Sequence, residues 1–491
     1  MRRTLLLVLT VLALVAASCG DDGDTPAASP STDAPPSDDA EADDPEVADV
    51  GDADEPGDTS EDSRNVGVSS GVPDGSFLFD QDQLHTFEID LSEENLAILD
   101  ADPSAEEYVE GEVTFAGETR TVGVRYKGSV GAWVNCLEGT LFSNGFEGIF
   151  DPSGAKVCPK LSIKVKINWQ NSDDEWHGQR KFQLHAMNLD PTQMRERLGY
   201  HLFREMGVPA PRATHARVVV NGEFVGLFAL VEQIDGRFTR HNFEDGTGNL
   251  YKEIWPLDTA GDPVSEAAFE SGLKTNENED PSFALVTQFA TEVSDASDAD
   301  RPTVVARWMD VETSLAYFAV ERTIRHDDSL SHFRCFGNQC NTHNFFIYED
   351  PSNDRFHVIP WDLDNAFQSL APGPGNSAVA VEDRFGEITN DCEPFNTGGI
   401  APQRSAACDL IIGALATYEA EYEAILEDFL TGPFADEAVR EQLERWTAQI
   451  AEATAEAADA HPGEALSVAA WDASVEALLR DLENARADAV A

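Results

Sequence analysis

The segment from Arg325 to Phe367 reads RHDDSLSHFRCFGNQCNTHNFFIYEDPSNDRFHVIPWDLDNAF and concentrates side chains able to hold a cation. Asp327 and Asp328 lead it, and His343 and Asn344 stand before an apolar run, Phe345 to Tyr348. Asp362 and Asp364 follow a second apolar run, Phe356 to Ile359. The two runs predict a β-hairpin closed by the polar turn Glu349–Asp354. A hairpin of this kind brings oxygen ligands from both of its ends to one place, as hard-cation sites require. Asp350 and Asp354 read as solvated turn residues. Asp362 and Asp364 differ, because Trp361, Leu363 and Phe367 interleave with them. Carboxylates set among large apolar neighbours lose water and need a cation or several donors in its place. The chemistry indicated is a metal or phosphate site.

Such a site needs a positive partner if its ligand is an anion, and one strand offers it. KLSIKVKIN, Lys160 to Asn168, places Leu161, Ile163, Val165 and Ile167 on one face. Lys160, Lys164 and Lys166 share the other face, a positive stripe in an acidic chain. Gln193 to Met206 predicts an amphipathic helix with Glu196 on its first turn, ended by Gly207, Pro209 and Pro211. His215 to Ile234 reads as a hairpin around Asn221-Gly222, and Asn249 to Glu253 as a short strand. Upstream lie a strand at Phe87–Leu91, a helix at Ser92–Asp100, and strands at Glu112–Phe115 and Thr119–Tyr126. The last runs into the small-residue loop Lys127-Gly128-Ser129-Val130-Gly131. Residues 283–324 read as largely helical, and Asp409–Thr431, Asp436–Ala460 and Leu466–Ala489 as three further helices. Strands first and helices later make an α+β protein with a C-terminal helical region.

Acidic side chains outnumber basic ones by 91 to 33, for a formal charge of −58. That surface argues against nucleic acid and anionic lipid as partners. Arg2 and Arg3, an apolar run from Leu5 to Ala17, and Ser18–Cys19 predict an export signal over residues 1–19. Its Ala-Ala-Ser-Cys ending resembles a bacterial lipoprotein signal, with Cys19 as the lipidated residue and plain secretion as the alternative. Residues 20–74 are rich in Asp, Glu, Ala, Pro, Ser and Gly, which predicts a disordered acidic tether. The other six cysteines form three sequence-local couples, Cys136 with Cys158, Cys335 with Cys340, and Cys392 with Cys408. In an exported protein that pattern suggests disulfides; zinc competes, but Cys335 and Cys340 lack a second pair nearby.

Taken together, KLSIKVKIN, MGVPAPRATHARVVVNGEFVGLF, GNLYKE, THNFFIY and HVIPWDLDNAF resemble the CotH family in order and spacing over about residues 75–430, with 431–491 as a helical extension. The resemblance implies an atypical protein-kinase-like, two-lobed fold. It also implies ATP with Mg2+ or Mn2+ as cofactors and Ser or Thr of an exported protein as the acceptor. Kinase chemistry requires a lysine on the phosphates, a helix glutamate, an aspartate at the acceptor hydroxyl, and Asn and Asp metal ligands. In this sequence those roles fall to Lys164 or Lys166, to Glu196, to Asp328 with Asp327 as its alternative, and to Asn344, Asp362 and Asp364. Glu232, in Val231–Asp235, falls where a chain joining two lobes would touch adenine. The loop KGSVGAW departs from the family's KGNSS, and Cys335 and Cys340 lie in an insertion between Asp328 and Asn344. Two other functions compete: a non-catalytic surface protein holding calcium, and a metal-dependent hydrolase.

Overall fold

The computed structural model describes residues 74–489, apart from 129, 134–135, 139–152, 278–280, 337–338, 368–383 and 397–400. The expected export signal, Cys19 and all but the last residue of the acidic tether lie outside the described residues.

Seven strands close into a barrel: β1 (His85–Asp90), β2 (Val109–Phe115), β3 (Glu118–Tyr126), β4 (Ile163–Lys166), β5 (Lys181–His185), β6 (Ala213–Val220) and β7 (Glu223–Glu232). The order around it is β1-β2-β3-β4-β5-β7-β6, and β6 returns parallel to β1 to close the ring. Alternation along each strand fills the interior with Phe87, Val113, Val124, Val165, Phe182, Leu184, Val218 and Leu230. Phe87 stacks on Phe115 at 4.6 Å. Asn221 and Gly222 both take positive φ, at 50° and 80°, which turns β6 tightly into β7. Leu161 and Ile167 also face the core, yet only Ile163–Lys166 of the alternating run pairs as a strand.

One outer wall of the barrel is covered by α2 (Arg195–Glu205), which follows α1 (Glu93–Ala101) in the chain. Leu198, Leu202 and Phe203 of α2 join Leu227, Ala229 and Val231 in a second core. That core continues into α3 (Gly236–Asn242), α4 (Glu266–Gly272), α5 (Ala284–Asp295), α6 (Arg301–Trp308) and α7 (Val311–Thr323). It also takes in a three-stranded sheet made of β8 (Leu250–Lys252), β11 (Phe345–Asp350) and β12 (Arg355–Pro360), with β11 in the middle. A second small sheet holds β9 (Phe333–Phe336) between β10 (Gln339–Asn341) and β13 (Gln403–Arg404). All three expected cysteine couples are joined as disulfides, and Cys335–Cys340 bridges β9 to β10.

The chain ends in α8 (Leu410–Leu415), α9 (Glu419–Thr431), α10 (Asp436–Ala460) and α11 (Val468–Ala489). The expected single helix 409–431 is therefore two. Asp409 caps the first through the amides of Ile411 and Ile412, and turn bonds at Thr417 and Tyr418 end it. Among the described residues no helix is long and apolar enough to cross a membrane.

Candidate functional site

The two apolar runs pair as the expected hairpin, β11 with β12, and its register sets Phe345 opposite Pro360. The Trp361 amide donates to the Asn344 carbonyl at 3.1 Å, so Asn344 and Asp362 emerge side by side from the two ends. Both take left-handed backbone, φ 56° and 51°, which turns the chain sharply out of each strand. Asp362 is then fixed through its backbone: its N–H donates to the Tyr200 hydroxyl at 3.0 Å, and His326 Nε2 donates to its carbonyl at 2.9 Å. Its carboxylate is left to face a cavity.

Glu196, Asp364, Trp361, Lys127 and His185 line that same cavity. Asp364 is carried on the turn after Asp362, whose Leu363 packs on Gly199 of α2. Burial pushes the acid of Asp362 well above the usual carboxylate range, and Asp364 and Glu196 push it further while Lys127 opposes them. Asp364 is raised likewise, by burial and then by Glu196, against Arg195. Asp364 Oδ1 is a buried acceptor without a hydrogen-bond donor. Two crowded carboxylates and an orphaned acceptor suit a cation. Among the described residues no three His, Cys, Asp or Glu side chains converge as a complete metal site. Asp362 and Asp364 are the cavity carboxylates that could hold a divalent ion, with water or phosphate oxygens completing its shell as they commonly do for Mg2+.

The lysine facing these carboxylates is Lys127, not one from the lysine strand. Tyr126 pairs with Ile163 at the end of β3, and the Lys127 amide donates to the Ser162 carbonyl at 2.9 Å. That register sets Lys127 on the barrel's outer face beside β5. Its ammonium donates to Gln183 Oε1 and to His185 Nε2, and lies 5.3 Å from the centre of the Trp361 ring. Lys164 is buried between Arg125 and Gln183 in the strand register. Lys166 lies over the Tyr108 ring at 5.6 Å. Lys160 donates to the Leu227 carbonyl at 2.7 Å. Alternation along β4 found the outer face but not which lysine borders the cavity, and none of these three lines it.

Glu196 sits on the first turn of α2 as expected, buried, and accepts from His185 Nδ1 at 2.8 and 2.9 Å. Glu232 is fully buried and held by Arg212, whose amide, Nε and Nη2 donate at 3.0, 3.0 and 2.6 Å. Its side chain is thus committed to Arg212. Asp328 is brought next to Asn344, whose Nδ2 donates to Oδ2 at 3.1 Å, but its Oδ1 is taken by Arg334. Arg334 also bonds Asp327 Oδ2, at 3.0 Å. Arg334 comes from the disulfide-closed β9–β10 hairpin, so the inserted segment reaches the aspartate pair directly. Sequence reasoning missed Lys127, His185 and Arg334. The available signals were a lysine at a strand end before two glycines, a histidine closing a strand, and an arginine beside Cys335.

The molecule is therefore an α+β protein in which a closed barrel and a helix-rich part meet at an acid-lined cavity faced by a lysine. The chain belongs to the CotH family. The family model described as CotH kinase protein matches residues 124–488, running through the C-terminal helices. Inner spore coat protein H of Bacillus subtilis (strain 168) is 25% identical over 198 residues, 38% of this chain and 50% of that protein. Invasin CotH2 of Rhizopus delemar is 26% identical over 218 residues, 42% of this chain and 35% of that protein. An Inner spore coat protein H-like protein of B. subtilis is 38% identical over 63 residues, 13% of this chain and 20% of that protein. The chain thus spans half or less of the curated relatives it matches.

Proposed function

We propose that this is an exported kinase of the CotH type, which transfers the ATP γ-phosphoryl group to Ser or Thr of exported proteins. The observation that carries the reading is Lys127 facing Asp362 and Asp364 across one cavity, with both acids raised by burial and by neighbouring carboxylates, Glu196 among them. An ammonium on one side and two cation-seeking carboxylates on the other match what a nucleotide with its metal presents. Lys127 holds phosphate oxygens; Asn344, Asp362 and Asp364 hold Mg2+ or Mn2+; Asp328 positions the acceptor hydroxyl and takes its proton at a carboxylate oxygen. When bound, the metal neutralises phosphate charge. The barrel and the helical part are the two lobes of a kinase-like fold in this reading, and Cys19 anchors the chain through lipid.

A second reading is favoured by one observation. Both carboxylate oxygens of Asp328 are already engaged, by Arg334 and Asn344. A non-catalytic surface protein that holds a divalent cation such as calcium would need no free base there. Incubation of the purified chain with labelled ATP and Mg2+ or Mn2+ separates the two. The kinase reading expects label on protein, lost in Asp362→Ala. No transfer and no nucleotide-dependent rise in Tm with either metal would sink it, and a calcium-dependent rise alone would favour the second. For the anchor, Cys19→Ser should move the chain out of the membrane fraction.

A further inference from the structure

His185 contacts both Lys127 and Glu196. The Lys127 ammonium is 3.1 Å from His185 Nε2, and His185 Nδ1 is 2.8 Å from Glu196 Oε1. All three side chains are buried, and the ring stands edge-on to Trp361 at 5.9 Å. An ammonium can only donate, so the ring nitrogen it meets must present a lone pair. The imidazole proton then sits on Nδ1, where the Glu196 carboxylate accepts it. An imidazolium, or the opposite tautomer, would set an N–H against the ammonium.

We propose that His185 is a positioning residue for phosphate binding: a neutral, Nδ1-protonated relay through which Glu196 orients Lys127. This rests on the phosphotransfer reading of the site. The neutral ring, through Nε2, fixes the direction of the ammonium without adding a charge of its own. Glu196 meanwhile polarises the ring and strengthens Nε2 as an acceptor, as carboxylates do behind histidine metal ligands. The motif is supplied by three elements, the end of β3, the end of β5 and the first turn of α2, so it also ties the helix to the barrel at the cavity's edge.

Two measurements on the purified full chain test this. With 15N-histidine labelling and His185→Gln for assignment, the ring at pH 7 should show a protonated Nδ1 and a bare Nε2. The opposite tautomer or an imidazolium overturns the relay. Binding of Mg·ATP and Mg·tripolyphosphate should weaken about tenfold in His185→Ala. Glu196→Ala should match it, Glu196→Gln should recover most of the loss, and the double alanine variant should be no worse than His185→Ala alone. Additive losses in the double variant overturn the proposal. A wild type that binds neither ligand overturns the phosphotransfer reading, and the tautomer still decides the hydrogen-bond chain. Should the alanine variants fail to fold, the tautomer of the wild-type ring decides the proposal by itself.

Discussion

At Lys127 a change to methionine keeps the apolar stem over Trp361 and removes only the charge, so it isolates what the ammonium does in the cavity. Removing one preorganised charge from such a site costs about 10²–10³ in transfer rate. Lys127→Met should show that loss, and Lys164→Met and Lys166→Met should stay within about threefold, because neither borders the cavity. Steady-state phosphorylation with each variant is the check, and a larger loss at Lys164 would move the phosphate site. Asp364 gives a prediction of opposite sign. Its acid is raised in the folded chain, so the folded state binds a proton more tightly than the unfolded one. That stability is present below about pH 4, the ordinary carboxylate value, and is lost as pH rises toward the raised folded value. Without divalent cation, Asp364→Asn should therefore be more stable than wild type at pH 8 and nearly equal to it at pH 4. Added Mn2+ should raise the wild-type Tm at pH 8 and leave the variant unmoved. Melting curves across that range, with and without metal, decide it; a variant less stable at pH 8 without metal would refute the argument.

Secondary elements were more legible in the residues than the site was. Phe345–Tyr348 and Phe356–Ile359 pair as a hairpin because two short apolar runs joined by a polar turn are a local signal, and their pairing brings Asn344 to Asp362. The Asn221-Gly222 turn and the Gln193–Met206 helix are local in the same sense. Barrel closure is not local: β1 meets β6 across more than a hundred residues, and only that ring decides which outward side chains share a cavity. Lys127 and His185 are adjacent because β3 and β5 flank the same strand, which no spacing in the chain reveals. The seat of α2 on the Asp362–Asp364 turn is likewise a tertiary fact, and it rests on Gly199. A Cβ there would lie 2.6 Å from Leu363 Cδ1 and 3.3 Å from its Cβ. In an isolated helix Gly→Ala gains about 1 kcal/mol, but overpacking a contact this close costs about 1–3 kcal/mol. Gly199→Ala should thus lower Tm and weaken the metal-dependent shift, because moving α2 moves Glu196 relative to Asp364. Leu363→Ala in the same chain should relieve the clash and return part of the metal response. A stabilised single variant would mean the helix yields without disturbing the turn.

Across the whole molecule, the last two helices act as a strap over both parts of the structure. On the barrel side, Arg217 pairs with Glu456, and His461 Nε2 donates to the Phe224 carbonyl at 2.9 Å. Over α2, the Arg197 guanidinium stacks on Trp446 at 4.3 Å and donates to Gln449 at 2.7 Å. At the start of the same helix, Thr454 donates to Gln193 at 3.1 Å and Trp471 to the Thr192 carbonyl at 3.0 Å. Beyond it, Asp488 pairs with Arg325, two residues before the aspartate pair. The strap therefore holds the helix of Glu196 and the segment of Asp328 from behind, without lining the cavity itself, and the family match running to residue 488 includes it. Trp446 is the centre of that hold, fully buried against a guanidinium that is bonded to the uncharged partners Gln81, His215 and Gln449. Truncating a buried tryptophan costs about 3–5 kcal/mol, and here it also uncovers the Arg197 charge. Trp446→Ala should accordingly lower Tm and speed amide exchange in Arg195–Glu205 more than in the barrel strands. Nucleotide affinity should fall severalfold although no cavity atom has changed. Trp446→Phe keeps a ring over Arg197 and should restore most of the helix's protection. Hydrogen exchange read separately for α2 and for β1–β3 distinguishes this from a general loss of stability. Equal acceleration in both would show that the C-terminal helices only cover the core, and protection lost in α2 alone would show that they set the position of Glu196.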